Sequence, residues 1–137
     1  MPKYWLLKTE PETYSFSQLL KEKKTNWNNV RNFQARNALR EAKIGDLALI
    51  YHSGDERALV GIAEVIREAY PDPDPEMKGD WVQINLQAIE ALKRSISLKE
   101  IKSTPALADL PLIKQSRLSC MPISAAHYKT LVGMSKK

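Results

Sequence analysis

The 137-residue chain is short of the residues on which several kinds of chemistry depend. It has one cysteine, Cys120, so no disulfide can form within it, and this suits a reducing compartment. Its two histidines, His52 and His127, are far apart in sequence and cannot, with one cysteine, supply the four ligands of a structural zinc. Glycine is scarce, at five residues, and none forms a Gly-rich phosphate loop; no Ser-His-Asp order and no metalloprotease motif is present. No run approaches the ~18 apolar residues of a membrane span, and the apolar stretch near the N-terminus is too short for a signal peptide. These absences lead us to expect no metal, no cofactor, no catalytic residue, no membrane association and a cytoplasmic setting.

What the chain does contain is an ordinary globular composition, 43% hydrophobic and 27% charged, in a length that suits one domain over residues 1–137 with a short basic tail at 135–137. Lysine and arginine total 21 against 16 acidic residues, a net charge of +5. That balance favours a nucleic-acid partner, although many basic proteins bind none.

Hydrophobic patterning predicts strands at Tyr4–Leu7, Leu47–Tyr51, Leu59–Ile66 running on towards Tyr70, Trp81–Ala88 and Leu118–Ile123, with Pro122 placing the last near a sheet edge. Ser15 caps a first helix with Phe16, Leu19 and Leu20 on one side, which the polar run Lys21–Asn26 ends. Asn32 caps a second, whose Ala35, Ala38, Leu39 and Ala42 make a narrow apolar stripe. Ser97–Lys102 reads as a helical turn, and Ser124 caps a last helix with Tyr128, Leu131 and Val132 inward. Gly61 marks a bulge or a close approach of another group. Prolines at 71, 73 and 75 make a stiff acidic loop. Strands and helices do not alternate as βαβ units, which disfavours a parallel sheet and predicts an α+β fold: a small mixed β-barrel of about five strands flanked by helices.

Several residues could carry binding chemistry. Trp27, in a polar stretch between two helices, is either a cover for a core edge, the commoner role, or a stacking platform worth about 1–3 kcal/mol per base. Arg36, with Arg40 and Lys43, lies opposite the alanine stripe, as a solvated face or a phosphate contact. Arg31, close to Trp27, could meet a phosphate or a base edge in bidentate fashion. Lys8, Thr9 and Glu10 follow the first strand; exposed, the charges neutralise each other, and enclosed, they can hydrogen-bond a base edge or support amide hydrolysis. His52 and Ser53 end another strand, where they can donate to and accept from a heterocycle.

These stretches have a recognisable set of counterparts. Tyr4-Trp5-Leu6-Leu7-Lys8-Thr9-Glu10-Pro11, Trp27-Asn28-Asn29-Val30-Arg31-Asn32-Phe33-Gln34-Ala35-Arg36-Asn37, Gly45-Asp46 through Tyr51-His52-Ser53, Gly61-Ile62-Ala63-Glu64-Val65, Glu68-Ala69-Tyr70-Pro71-Asp72 and Ser116-Arg117-Leu118-Ser119 run in order along nearly the whole chain. In this the chain resembles the EVE-domain family, a branch of the PUA-like superfamily related to YTH domains. The resemblance implies a PUA-like barrel with an aromatic pocket for a modified nucleobase, chiefly a modified cytosine in DNA, with RNA roles also considered. It implies that Trp27 is a cage tryptophan, that Lys8, Thr9, Asn32 and Ser53 line the base edge, that Tyr51 and Tyr70 are walls, and that Arg31 and Arg117 contact phosphate or base edge. The partner implied is a nucleic acid or nucleotide carrying a modified base; protein partners are not implied. The loop Pro73–Asp80 is shorter than the segment family members often carry there. A rival reading comes from ASCH domains of the same superfamily, some of which hydrolyse acylated cytidine with Lys, Thr and Glu. Adjacent strand residues face opposite sides, so Lys8 and Glu10 would share a side that Thr9 would not.

Overall fold

The structure, a computed structural model, describes residues 3–28, 32–72, 81–115 and 118–136. Six strands form one sheet in the order β2-β5-β4-β3-β1-β6. They are β1 (Tyr4–Thr9), β2 (Lys24–Trp27), β3 (Leu47–His52), β4 (Ala58–Pro71), β5 (Val82–Ser97) and β6 (Cys120–Ile123). The helices are α1 (Phe16–Glu22), α2 (Phe33–Glu41), α3 (Leu98–Lys102), α4 (Pro111–Lys114) and α5 (Ala125–Ser135). The fold is therefore α+β, as expected, but the sheet has six strands and is not closed, so it is barrel-like at most. Register shifts in the long β4–β5 ribbon at Leu59/Gly61, Ile62/Ala63, Val65/Arg67 and Arg67/Tyr70 supply bends that curl it.

β1 ends where Pro11 forbids continuation, and the Glu10 carbonyl accepts from the Thr13 and Tyr14 N–H groups at 2.9 Å to turn the chain. The Ser15 hydroxyl then caps α1 by accepting from Gln18 N–H at 3.1 Å. Phe16 and Leu19 are buried, but Leu20 is 40% exposed and does not join them. The polar run after α1 is not merely its end. Residues 24–27 form β2, paired antiparallel with β5 from Lys24↔Gln87 to Trp27↔Ile84, because backbone pairing is indifferent to polar side chains that face water.

Asn32 caps α2 by accepting from Ala35 N–H at 2.9 Å, and Ala35, Ala38, Leu39 and Ala42 are all buried. At the following turn Gly45 takes φ +96, and the Asp46 carboxylate accepts from three donors at 2.9 Å: Lys3 N–H, Trp5 Nε1–H and Lys43 N–H. β3 pairs with β1 in parallel, Tyr4↔Leu47 to Thr9↔His52, which makes the sheet mixed rather than parallel throughout, as expected. The connection between them passes through α1, β2 and α2, and the remaining pairs are antiparallel. Gly61 is the predicted close approach: the Phe16 ring fills the space where a Cβ would stand. β5 runs past the predicted Trp81–Ala88 segment as far as Ser97. β6 lies at the sheet edge against β1, and Pro122 is exposed there, as its missing N–H requires. In α5 Leu131 is buried, with Tyr128 and Val132 packed partly against the core.

Candidate functional site

Two cavities meet at the C-terminal end of β1. The first, about 630 Å³, is lined by Lys8, Thr9, Glu10, Thr13, Tyr14, Glu22, Thr25, Asn26, Trp27, Asn28 and Ser119. The second, about 520 Å³, is lined by Lys8, Thr9, Glu10, Tyr51, Ser53, Gly54, Arg57, Leu98, Leu112 and Ser119. Topology brings these segments together. β3 runs parallel to β1 and ends beside it at Thr9↔His52, while Lys8 N–H donates to the Ser119 carbonyl at 2.9 Å, which fixes the approach to β6. Tyr14 meets Trp27 edge to face with ring centroids 6.3 Å apart, so the turn after β1 and the end of β2 close the first cavity.

Trp27 is only 7% exposed, and what it shows the cavity is a small part of its surface. The Tyr14 hydroxyl donates to Glu22 Oε1 at 2.6 Å, and Gln18 donates to Glu22 Oε2 at 3.0 Å, which ties this wall to α1. Burial, then that hydrogen bond, raises the Tyr14 hydroxyl above its ordinary pKa, and the same bond holds the Glu22 carboxyl below its own. The Lys8 ammonium lies 5.8 Å from the Tyr51 ring centroid, and burial lowers its pKa from 10.5. Burial also raises the Tyr51 hydroxyl, an effect the nearby Arg57 charge opposes. Thr9 Oγ1 donates to the Tyr14 carbonyl at 2.8 Å, so its proton holds the turn.

Lys8, Thr9, Glu10 and Trp27 thus share one cavity, and Tyr51 and Ser53 line its neighbour. The other residues singled out above lie elsewhere. The Asn32 side chain is engaged as the α2 cap. His52 is buried and lines neither cavity: its Nε2 accepts from Phe16 N–H at 3.0 Å and its Nδ1 meets Glu56 Oε1 at 2.8 Å. That pattern makes it the Nδ1–H tautomer with both nitrogens occupied, a strut between β3 and α1. Tyr70 lines neither cavity, donating its hydroxyl to Asn85 Oδ1 with the Arg67 guanidinium 3.6 Å from its ring centroid. Arg36 stacks on Phe33 and Trp81, and Lys43, just beyond the end of α2, pairs with Glu68 at 3.9 Å, so that group of charges is partly neutralised. Arg31 and Arg117 lie outside the described residues, as does the loop over 73–80.

Sequence reasoning did not anticipate Thr13, Tyr14, Glu22, Thr25, Asn26, Asn28, Arg57 or Ser119. Tyr14 carries the one usable signal, an aromatic just beyond a proline-forced turn next to the Lys-Thr-Glu segment. Thr25 and Asn26 belong to the unpredicted strand β2, and Ser119 and Arg57 arrive only through pairing across the sheet. No helix among the described residues is long and apolar enough to cross a membrane. Among the same residues no group of three or more His, Cys, Asp or Glu is placed to hold a metal ion.

Residues 3–134 match the EVE domain. The chain belongs to the EVE-domain family. It is 32% identical to human thymocyte nuclear protein 1 over 98% of this chain and 74% of that protein. The alignment spans 167 positions against 137 residues here, so the human protein carries segments this chain lacks. That relative is by name a nuclear protein, so membership of the EVE-domain family does not imply a specifically cytoplasmic setting. A crystal structure of human THYN1 in complex with DNA containing 5-methylcytosine superposes with a TM-score of 0.90 at 31% identity, covering 98% of each chain. An ASCH protein from Zymomonas mobilis shares the fold alone, with a TM-score of 0.66 at 14% identity over 96% of this chain and 98% of its own.

Proposed function

We propose that this EVE-domain protein binds DNA and receives one modified cytosine, extruded from its strand, in the cavity between the end of β1 and Trp27. The observation that carries the reading is the convergence of Lys8, Glu10, Tyr14 and Trp27 on one open cavity of about 630 Å³. Its chemistry complements a cytosine. A carboxylate accepts from the exocyclic N4 amino group, the role of Glu10, and an ammonium donates to O2 or N3, the role of Lys8. The Tyr14 edge and the accessible part of Trp27 give a C5-methyl group apolar contact. Ser53 and Tyr51, in the adjoining cavity, face the neighbouring sugar and phosphate. Arg31 and Arg117 act with them as phosphate contacts. The human relative's complex with 5-methylcytosine DNA supports the substrate class.

Magnitudes set the expected affinity. Burying one methyl contributes about 0.8 kcal/mol, a factor of roughly four. Extruding a base costs a few kcal/mol, which stacking at about 1–3 kcal/mol and a few phosphate contacts offset without leaving a large surplus. Binding is micromolar, salt-sensitive and only modestly selective. The test is a titration of tryptophan fluorescence with duplexes bearing cytosine or 5-methylcytosine at two salt concentrations. Saturable quenching with a several-fold preference for the methylated duplex, lost in Trp27→Ala and in Glu10→Ala, supports the proposal. Nanomolar binding that ignores salt would overturn it.

The hydrolytic alternative places Thr9 as nucleophile. Its hydroxyl proton is already given to the Tyr14 carbonyl, which argues against that role. No acetate release from an acylated cytidine is expected, in the wild type or in Lys8→Ala.

A further inference from the structure

Phe33 is the first residue of α2 and is 64% exposed, the one exposed aromatic among the described residues. It is not loose. One face of its ring stacks on Trp81, centroids 5.2 Å apart and planes 24° from parallel, and Trp81 is itself 7% exposed. One turn along the helix, the Arg36 guanidinium sits 5.0 Å from the Phe33 centroid and 5.8 Å from that of Trp81. Asn37 Oδ1 accepts from Arg36 Nε at 3.3 Å and from Nη2 at 3.1 Å, which orients the fork. An aromatic ring that the fold needed only as a lid over Trp81 would gain from being covered; this one is anchored against Trp81, has a cation beside it and is left largely open to water.

We infer that the Phe33–Trp81–Arg36 stack is a second nucleic-acid contact, a platform on which an unpaired base of the bound DNA strand stacks beside a phosphate held by Arg36. This rests on the reading of the protein as a DNA binder but concerns a different site from the cavity at Trp27. Trp81 comes three positions before Ile84, the β5 partner of Trp27, about 10 Å along the strand at the usual rise. Phe33 follows Trp27 by six residues and so lies within about 21 Å of it. At about 3.4 Å per stacked nucleotide, one strand reaches from the cavity to the platform in about six nucleotides or fewer. The chemistry suits an anionic, aromatic-rich polymer. The platform pairs π surface with positive charge, the net charge is +5, and aromatic stacking accepts any base.

The experiment measures fluorescence anisotropy of a labelled single-stranded DNA of about ten nucleotides, with cytosine or 5-methylcytosine at its centre. Phe33→Ala is expected to weaken both probes about 5- to 10-fold, at the low end of base stacking, and to leave the ratio between them unchanged. Phe33→Leu keeps an apolar cover over Trp81 but no π face; it is expected to melt like the wild type and bind like Phe33→Ala. Arg36→Gln is expected to shallow the slope of log affinity against log salt by about 0.7. Wild-type affinity in Phe33→Leu and Phe33→Ala overturns the platform, leaving Phe33 a structural cover. A wild type that ignores the methyl group while Phe33→Leu still weakens binding overturns the cavity reading and leaves the platform standing.

Discussion

Replacing Asp46 with alanine removes one carboxylate and strands three donors at once. Asp46 is 3% exposed, and its oxygens accept from Trp5 Nε1–H, Lys3 N–H and Lys43 N–H, each at 2.9 Å. These bonds lock the start of β1 to the turn that launches β3, the two strands of the parallel pair. Trp5 is 2% exposed, so its indole N–H has no access to water once the carboxylate is gone, which costs about 1–3 kcal/mol. The two backbone donors are only partly buried; rehydrated, each loses about 0.5–1.5 kcal/mol of net hydrogen bonding. The sum is about 2–6 kcal/mol, a large share of the roughly 5–15 kcal/mol that holds a domain together. Equilibrium urea unfolding followed by tryptophan fluorescence reads this directly: the midpoint should fall by about 2 M with the slope unchanged. Asp46→Asn restores one acceptor oxygen but turns an amide N–H₂ towards N–H donors, so it should lose at least half as much. A midpoint for Asp46→Ala within about 0.3 M of the wild type would refute the argument that this carboxylate is the joint between the two strands.

Gly61→Ala drives a methyl group into the Phe16 ring and should destabilise by about 1–3 kcal/mol, with Phe16→Leu recovering part of the loss in the double variant, as a thermal melt will show. Cys120 is 1% exposed, and burial pushes its thiol far above the ordinary range. It should ignore a thiol reagent in the native protein and react fully in denaturant; rapid native labelling would contradict the packing of β6 against β1. Burial lowers the Lys8 pKa from 10.5, so folding disfavours its charged form. The sign follows. Its destabilising contribution is complete below the folded pKa and is relieved as pH rises through 10.5, while its positive charge is lost earlier than an exposed lysine's. DNA affinity should therefore fall in the alkaline range below 10.5 in the wild type and fall less in Lys8→Arg; parallel curves would remove Lys8 from the contact.

Local rules located what local rules control. Ser15, Asn32 and Ser124 each accept a hydrogen bond as the cap the sequence predicts, and the helical turn expected from Ser97 forms with Ser97 itself as its cap. The alanine stripe of α2 is buried, and Gly61 is the close approach. What escaped was set by pairing. Residues 24–27 carry no apolar alternation and read as a polar helix end, yet β5 recruits them. The stretch from Ile89 to Ser97 is mostly exposed, with only Ile96 fully buried, yet β4 pairs with it as far as Ala58↔Ser97.

The sequence alone determined the family, the α+β class and three adjacent residues of the cavity, Lys8, Thr9 and Glu10, because a proline fixes where their strand stops whatever the rest of the chain does. Tertiary structure decided which neighbours they have. Tyr14 enters through the turn, Trp27 through an edge strand that exists only in partnership with β5, and Ser119 through pairing of β6 with β1. It also engaged the Asn32 side-chain oxygen as a helix cap and both His52 ring nitrogens in a buried strut, uses of polar atoms that sequence does not show. The physical reason is the same in each case: a side chain's type is local, but the atoms left over for a ligand depend on every partner the fold has already given it.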